Sequence, residues 1–163
     1  MLVSNPSSTP SNNPNHVGVD VVDLHQPYTA ASSALEYVSY FKSYLSPAEF
    51  SCIQKCDEEI GMLEKLYLAW GVKEAYVKAL GVGIGVEGEL RSIEVDFDSC
   101  YCQGKLEFEG LKVNGVKEGT RFKVIELDDS GDIAVVCGIG GGGWELERRV
   151  VGWDDWQAHL NGE

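Results

Sequence analysis

The stretch Glu58–Leu80, Glu-Glu-Ile-Gly-Met-Leu-Glu-Lys-Leu-Tyr-Leu-Ala-Trp-Gly-Val-Lys-Glu-Ala-Tyr-Val-Lys-Ala-Leu, decides the fold. At about 100° per residue, Leu63, Leu66, Trp70 and Val77 fall within about 60° of arc, which predicts one long helix with a single apolar stripe. Gly81 follows as a glycine C-cap. Upstream, His16–Leu24 (HVGVDVVDL) alternates, with Val17, Val19 and Val21 on one face and Gly18, Asp20 and Val22 on the other, the pattern of a strand. Between them, Leu35–Leu45 (LEYVSYFKSYL) has helical spacing. Ser46-Pro47-Ala48-Glu49 has the form of a helix start, with Ser as N-cap, Pro at N1 and Glu at N3, for a short helix through Cys52 and Ile53. Downstream, LRSIEVDFD, KLEFEGLKV, RFKVIELDD and DIAVVCGIG each alternate and are bounded by Gly, Asn or Asp, as antiparallel strands are. The predicted class is α+β, a long helix packed on an antiparallel sheet.

The whole chain has 163 residues and a formal charge of −13, from 13 Lys plus Arg against 26 Asp plus Glu. That length suits one domain. The acidic balance excludes a nucleic-acid protein and disfavours anionic membrane surfaces, and no apolar run reaches the ~20 residues of a membrane span. Five cysteines, an odd number without a secretory leader, predict reduced thiols in a cytoplasmic protein. Three segments are expected: a disordered leader or linker over 1–15, rich in Ser, Thr, Asn and Pro; a domain over 16–139; and a Gly-rich turn and C-terminal tail over 140–163, with a helix packing its tryptophans.

Several motifs lack the context their chemistry needs. Gly83–Gly88 and Gly138–Gly143 fit G-x-G-x-x-G, but neither opens a strand-to-helix turn in a βαβ unit. Cys52-x3-Cys56 and Cys100-x-Cys102 lack zinc-ribbon spacing, and the histidines form no ligand pattern. Three residues stand out instead. Asp20 interrupts a valine-rich strand, either on an exposed edge or as a hard-cation ligand. Glu74 lies within the apolar stripe, where a carboxylate needs a partner or a metal; the alternative is a surface pair with Lys78. Lys78 is either a lysine covering core surface or a phosphate contact.

Val17-Gly-Val-Asp20, then Trp70-Gly-Val-Lys-Glu-Ala-Tyr-Val-Lys78 and Ala-Leu-Gly-Val-Gly-Ile84, resemble the 4′-phosphopantetheinyl transferase superfamily. The likeness runs from about Val17 to Ile139. It is greatest to the second, C-terminal half of the Sfp-type enzymes, pseudo-dimers of two similar halves, and among them to the eukaryotic aminoadipate-semialdehyde-dehydrogenase-activating branch. The resemblance implies transfer of 4′-phosphopantetheine from coenzyme A to a serine of an acyl or peptidyl carrier protein. It implies Asp20 and Glu74 as Mg²⁺ ligands, and Glu74, Lys78 and Glu49 as catalytic residues. Lys78 would also contact the phosphates of coenzyme A, with Lys73 in a supporting role. Glu49 would be a base for the incoming serine, beside or instead of closing a capping box.

Many family members carry a second acid two residues after the strand Asp, where this chain has Val22; Asp23 faces the other way. The first half of the Sfp-type enzymes, with much of the coenzyme A grip, has no counterpart in the likeness. Two readings follow: an active transferase, as a homo-oligomer or with a separate N-terminal half, or a truncated or degenerate half-enzyme without independent catalysis. A plain acidic interaction domain ranks third. The resemblance leaves the carrier open among lysine biosynthesis, fatty-acid and secondary-metabolite pathways. Because carrier proteins are acidic, docking on a chain of −13 would need a local patch, for which Lys65, Lys73, Lys78, Phe41, Tyr44 and Phe50 are candidates.

Overall fold

A computed structural model describes residues 16–28, 31–82, 87–97, 107–108, 111–127 and 132–139. The expected leader and C-terminal tail lie outside these residues. The described chain runs β1 (His16–Asp23), α1 (Ala34–Tyr40), α2 (Pro47–Gln54), α3 (Glu59–Leu80), α4 (Glu87–Ser92), β2 (Ile93–Val95), β3 (Glu107–Phe108), β4 (Leu111–Val113), β5 (Val116–Lys117), β6 (Arg121–Glu126) and β7 (Asp132–Ile139). One antiparallel sheet has the order β1-β7-β6-β3; a second, smaller one has the order β2-β4-β5. The α+β class and the long helix on an antiparallel sheet are as expected. No helix among the described residues is long and apolar enough to cross a membrane.

α3 lies between the first sheet and the pair α1 and α2, packing on β1 and β7 on one side and on the short helices on the other. From Leu66 onward it is therefore buried almost all round, with Leu66–Ala69, Gly71–Val77 and Ala79 inaccessible. The predicted single stripe was too narrow, because a stripe assumes one covered face. Gly81 ends the helix at φ 70°, as the glycine cap requires.

β1 meets α3 at unusually short range. A Cβ at Gly18 would lie 2.0 Å from the Ala75 carbonyl oxygen and 2.4 Å from the Ala79 backbone nitrogen. On the helix side, a Cβ at Gly71 would lie 2.6 Å from Val22 Cγ2 and 3.2 Å from Val135 Cγ2. The Gly18–Asp20–Val22 face is thus the inner one. The valine face is the outer one, with Val17, Val19 and Val21 at 56%, 46% and 61% exposure. β1 is an edge strand, yet Asp20 points inward toward the helix.

Two local predictions shift. The run LRSIEVDFD is a helix end followed by a strand, because Leu90–Ser92 belong to α4 and only Ile93–Val95 pair with β4. KLEFEGLKV divides between β3 and β4, which belong to different sheets. The β4–β5 hairpin turns on Asn114 and Gly115, both at positive φ (52° and 78°), the conformation an Asn-Gly pair favours in a two-residue turn. α1 stops at Tyr40, and the chain turns through 41–45 before the Ser46 cap.

The close approach of β1 and α3 makes an ordered prediction. Gly18→Ala places its methyl against immovable backbone and should lose stability at or above the upper end of the ~1–3 kcal/mol typical of overpacking. Gly71→Ala meets only side-chain methyls and gains about 1 kcal/mol of helix propensity, so it should lose less. Urea unfolding of the two variants measures the order; equal losses would contradict it.

Candidate functional site

The face shared by β1 and α3 carries the three residues singled out above. Asp20 sits between Gly18 and Val22 on the strand, and its Oδ2 would be only 3.7 Å from a Cβ on Gly71. One turn along α3, Glu74 is 7% exposed, and its Oε1 is buried without a hydrogen-bond partner among the described residues. Burial pushes the Glu74 carboxyl above its ordinary range, the negative charge of Asp20 adds to the rise, and Lys78 opposes it. Lys78 Nζ donates to Asp20 Oδ1 at 2.6 Å while its side chain remains 49% exposed. The structure therefore brings Asp20, Glu74 and Lys78 together.

Asp20 and Glu74 stand at one end of a cavity of about 400 Å³ whose wall includes Tyr37, Phe41, Tyr67 and Trp70. Trp70 is fixed by edge-on contacts with Phe41 and Tyr44, at centroid distances of 5.8 and 5.7 Å. The Tyr67 hydroxyl donates to the Gln26 carbonyl at 2.9 Å, and its pKa is raised first by burial. This aromatic wall was missed in the sequence because its residues come from two helices whose pairing no single periodicity reveals. Val22 is 8% exposed and packed on Gly71, while Asp23 is exposed and accepts from the His25 backbone N–H at 2.8 Å. Among the described residues no group of three or more His, Cys, Asp or Glu side chains is placed to hold a metal, although Asp23 lines the same cavity as Asp20 and Glu74.

Glu49 and Lys73 lie elsewhere, on the far side of α3. Lys73 is 1% exposed and divides its three protons among Glu49 Oε2 (2.7 Å), Tyr44 O (2.8 Å) and Leu90 O (3.0 Å). Glu49, also 1% exposed, accepts from the Ser46 N–H on Oε2 at 2.7 Å and from the Val95 N–H on Oε1 at 2.9 Å. Ser46 Oγ accepts from the Glu49 N–H in return, completing the capping box. Burial pushes the Glu49 carboxyl up and the Lys73 ammonium down, and each charge offsets part of the other's penalty. The two expectations for this pair therefore change. Lys73 has no free proton or surface with which to meet a phosphate, and it drops out of the docking patch. Glu49 faces a small cavity, but both of its oxygens already accept from protein donors.

Glu94 extends this network, accepting from Ser46 Oγ at 3.1 Å and from Lys112 Nζ at 3.0 Å. The Lys112 hydrogen bond is the main cause of a carboxyl pKa below the ordinary glutamate range.

Residues 16–107 match the family model described as the 4′-phosphopantetheinyl transferase superfamily. The chain is 25% identical over 127 residues to the Xenopus laevis L-aminoadipate-semialdehyde dehydrogenase-phosphopantetheinyl transferase, covering 75% of this chain and 40% of that protein. It is 28% identical over 124 residues to a Thraustochytrium phosphopantetheinyl transferase, with 73% and 40% covered. To a Cytophaga hutchinsonii holo-[acyl-carrier-protein] synthase it is 35% identical over 82 residues, with 48% and 58% covered. It thus spans about 40% of the length of the first two relatives.

Two measurements test the buried network. Lys73→Met leaves a buried carboxylate without its counter-ion and should lose roughly 3–5 kcal/mol in urea unfolding. Adding Glu49→Gln removes that charge, so the double variant should be more stable than the sum of the singles by over ~1 kcal/mol; simple additivity would show the pair uncoupled. For Glu94 the folded pKa is depressed, so its stabilisation is present above the unfolded value of about 4.3 and is lost as pH falls through the folded one. Glu94→Gln should accordingly flatten the acid limb of stability against pH below about 5 and leave its shape near pH 7 unchanged.

Proposed function

The chain belongs to the 4′-phosphopantetheinyl transferase superfamily, and from that premise we propose that it takes part in Mg²⁺-dependent transfer of 4′-phosphopantetheine from coenzyme A to a serine of a carrier protein. The observation that carries the proposal is the Asp20–Glu74 pair, with Glu74 Oε1 buried and unpartnered among the described residues. Two hard oxygen donors drawn into one partly buried place, one of them raised in pKa first by burial and then by the other's charge, fit a small divalent cation. Asp20 and Glu74 would hold Mg²⁺, which when bound neutralises phosphate charge and polarises the phosphoryl group.

In this reading the serine hydroxyl gives its proton to water as its oxygen bonds to the phosphorus bearing pantetheine, the pyrophosphate P–O bond breaks, and adenosine 3′,5′-bisphosphate leaves. Glu74 and Lys78 are the catalytic residues. Lys78 gives one proton to Asp20 and has two more on an exposed ammonium, which it presents to the phosphoryl oxygens. Val22 supplies no donor at the third position, so the cation's remaining shell falls to water, substrate or another polypeptide. Glu49 and Lys73 position α3 and touch no substrate. Phe41 and Trp70 line the same cavity as the acid pair.

Because the chain spans about 40% of its first relatives, a second reading stands beside this one: the unit needs a separate polypeptide equivalent to the rest of such a protein before it turns over. A cytoplasmic, reducing setting belongs to both.

The test incubates purified chain with coenzyme A, Mg²⁺ and an apo-carrier protein, alone and with the remaining portion of a relative, and reads intact mass. One phosphopantetheine should be gained, and Asp20→Ala or Glu74→Ala should abolish the gain. Lys78→Ala should lower the rate roughly tenfold or more. Calorimetric titration with Mg²⁺ should show binding to the parent that both carboxylate variants lose. Transfer that persists in Asp20→Ala or Glu74→Ala would overturn the assignment.

A further inference from the structure

We propose that Cys52 and Cys56 form a reversible thiol-modification site for low-molecular-weight disulfides, with Cys52 as the attacking sulfur, Lys65 as its charge partner and Cys56 as the resolving thiol.

The two sulfurs are four residues apart around the end of α2, and Lys65 interacts with both of them, while Cys52 is the one that lines an open cavity. Lys65, reaching across from α3, donates from Nζ to Cys52 Sγ at 3.7 Å. The Cys56 thiol donates to the Cys52 carbonyl oxygen at 3.8 Å. Disulfide exchange starts at the sulfur an incoming disulfide can reach, and Cys52 is the one that faces an open cavity. Burial alone would lower the Lys65 pKa, but hydrogen bonds and charge attraction from Cys56 and Cys52 outweigh it and raise it. Lys65 is further held over the Phe97 ring at 5.9 Å from the centroid.

Access and reach also fit. Both cysteines are free and half-buried, and Cys52 lines an open cavity of about 190 Å³ with Ala48, Glu49, Phe97 and Lys112. Three carboxylates face this cavity: Glu49, paired with Lys73, Glu94, paired with Lys112, and Asp96. Cys56 Sγ lies 3.8 Å from the carbonyl oxygen of Cys52, which keeps the two residues within reach of each other. Cys56 lies just past the Lys55 cap, where the chain is no longer bound to helical geometry. The buried Cys137 is a contrast: burial pushes its thiol up to about 12, and no cation faces it among the described residues.

The exchange balances without a further reagent. The Cys52 thiolate attacks one sulfur of a disulfide RSSR, the S–S bond breaks, and RS⁻ leaves to take up a proton. Cys56 then loses its proton and attacks the Cys52 sulfur, expelling the second RS⁻ as a Cys52–Cys56 disulfide forms. Two protein thiols are oxidised and one RSSR is reduced to two RSH.

The experiment treats the full chain with glutathione disulfide and follows intact mass and a peptide map. The parent should pass through a Cys52–glutathione adduct to a Cys52–Cys56 disulfide. Cys56→Ser should stop at the adduct, and Cys52→Ser should leave Cys56 unmodified on the same timescale. Lys65→Gln should slow the first step about tenfold while Lys65→Arg keeps the parent rate, with circular dichroism checking that each variant is folded. First modification at Cys56, a disulfide from Cys52 to any other cysteine, or a parent rate in folded Lys65→Gln would overturn the proposal.

Discussion

The short contact between β1 and α3 is the constraint from which the rest of the described structure follows. A strand and a helix ordinarily keep side chains between them; here Gly18 lets the strand rest on the Ala75 carbonyl and the Ala79 backbone. Gly71 does the reverse, opening a slot in the helix that Val22 and Val135 fill. With side chains removed from both surfaces, the residues flanking the glycines are pressed together. Asp20 lies between Gly18 and Val22, and Glu74 follows Gly71 by three positions, so both face the seam. The same seam supplies core packing and juxtaposes two carboxylates, a juxtaposition that works against stability unless a cation joins them. Lys78 supplies one cation from the next turn, at the exposed edge.

A helix seated this closely on a sheet must also be held against rotation, and Lys73 with Glu49 does that from the opposite side. Adjacent residues on a helix point about 100° apart, so fixing Lys73 toward α2 turns Glu74 toward β1. The pair is expensive in desolvation, and both pKa values move in the direction that opposes ionisation. Five hydrogen bonds (Lys73 to Glu49, Tyr44 O and Leu90 O; Ser46 N–H and Val95 N–H to Glu49) offset that penalty. Because these bonds join α2, α3, α4 and β2, the ion pair fixes orientation more than it adds stability.

The parts legible in the sequence were those set by local chemistry. Ser46-Pro47-Ala48-Glu49 closes as a capping box and Gly81 takes the left-handed cap, whereas the pairing of Asp20 with Glu74 across β1 and α3 came from the family resemblance and not from local spacing. What failed needed knowledge of the second surface. Alternation sorts His16–Asp23 into two faces but does not say which is inside, and the valine face lies outside. A helical wheel ranks positions around α3 but assumes water on one side, so it gives no sign that Lys73, to which the resemblance gave a supporting role, is enclosed. Asn114-Gly115 carried a hairpin signal that the longer alternating runs on either side obscured.

The formal charge of −13 takes on a specific meaning beside this geometry. On the proposed reading the substrate is itself a polyanion, and the long-range field of the protein repels it, least at high ionic strength. Attraction then has to come from the seam. There Asp20 and Glu74 are the wrong sign for a pyrophosphate, and Lys78 alone offsets only one of them. A divalent cation between the carboxylates would bring the local charge of this cluster to +1, the sign a phosphate requires. The acid pair is therefore the means by which an acidic protein would approach an acidic ligand, and this makes the bare cluster a poor phosphate site by itself.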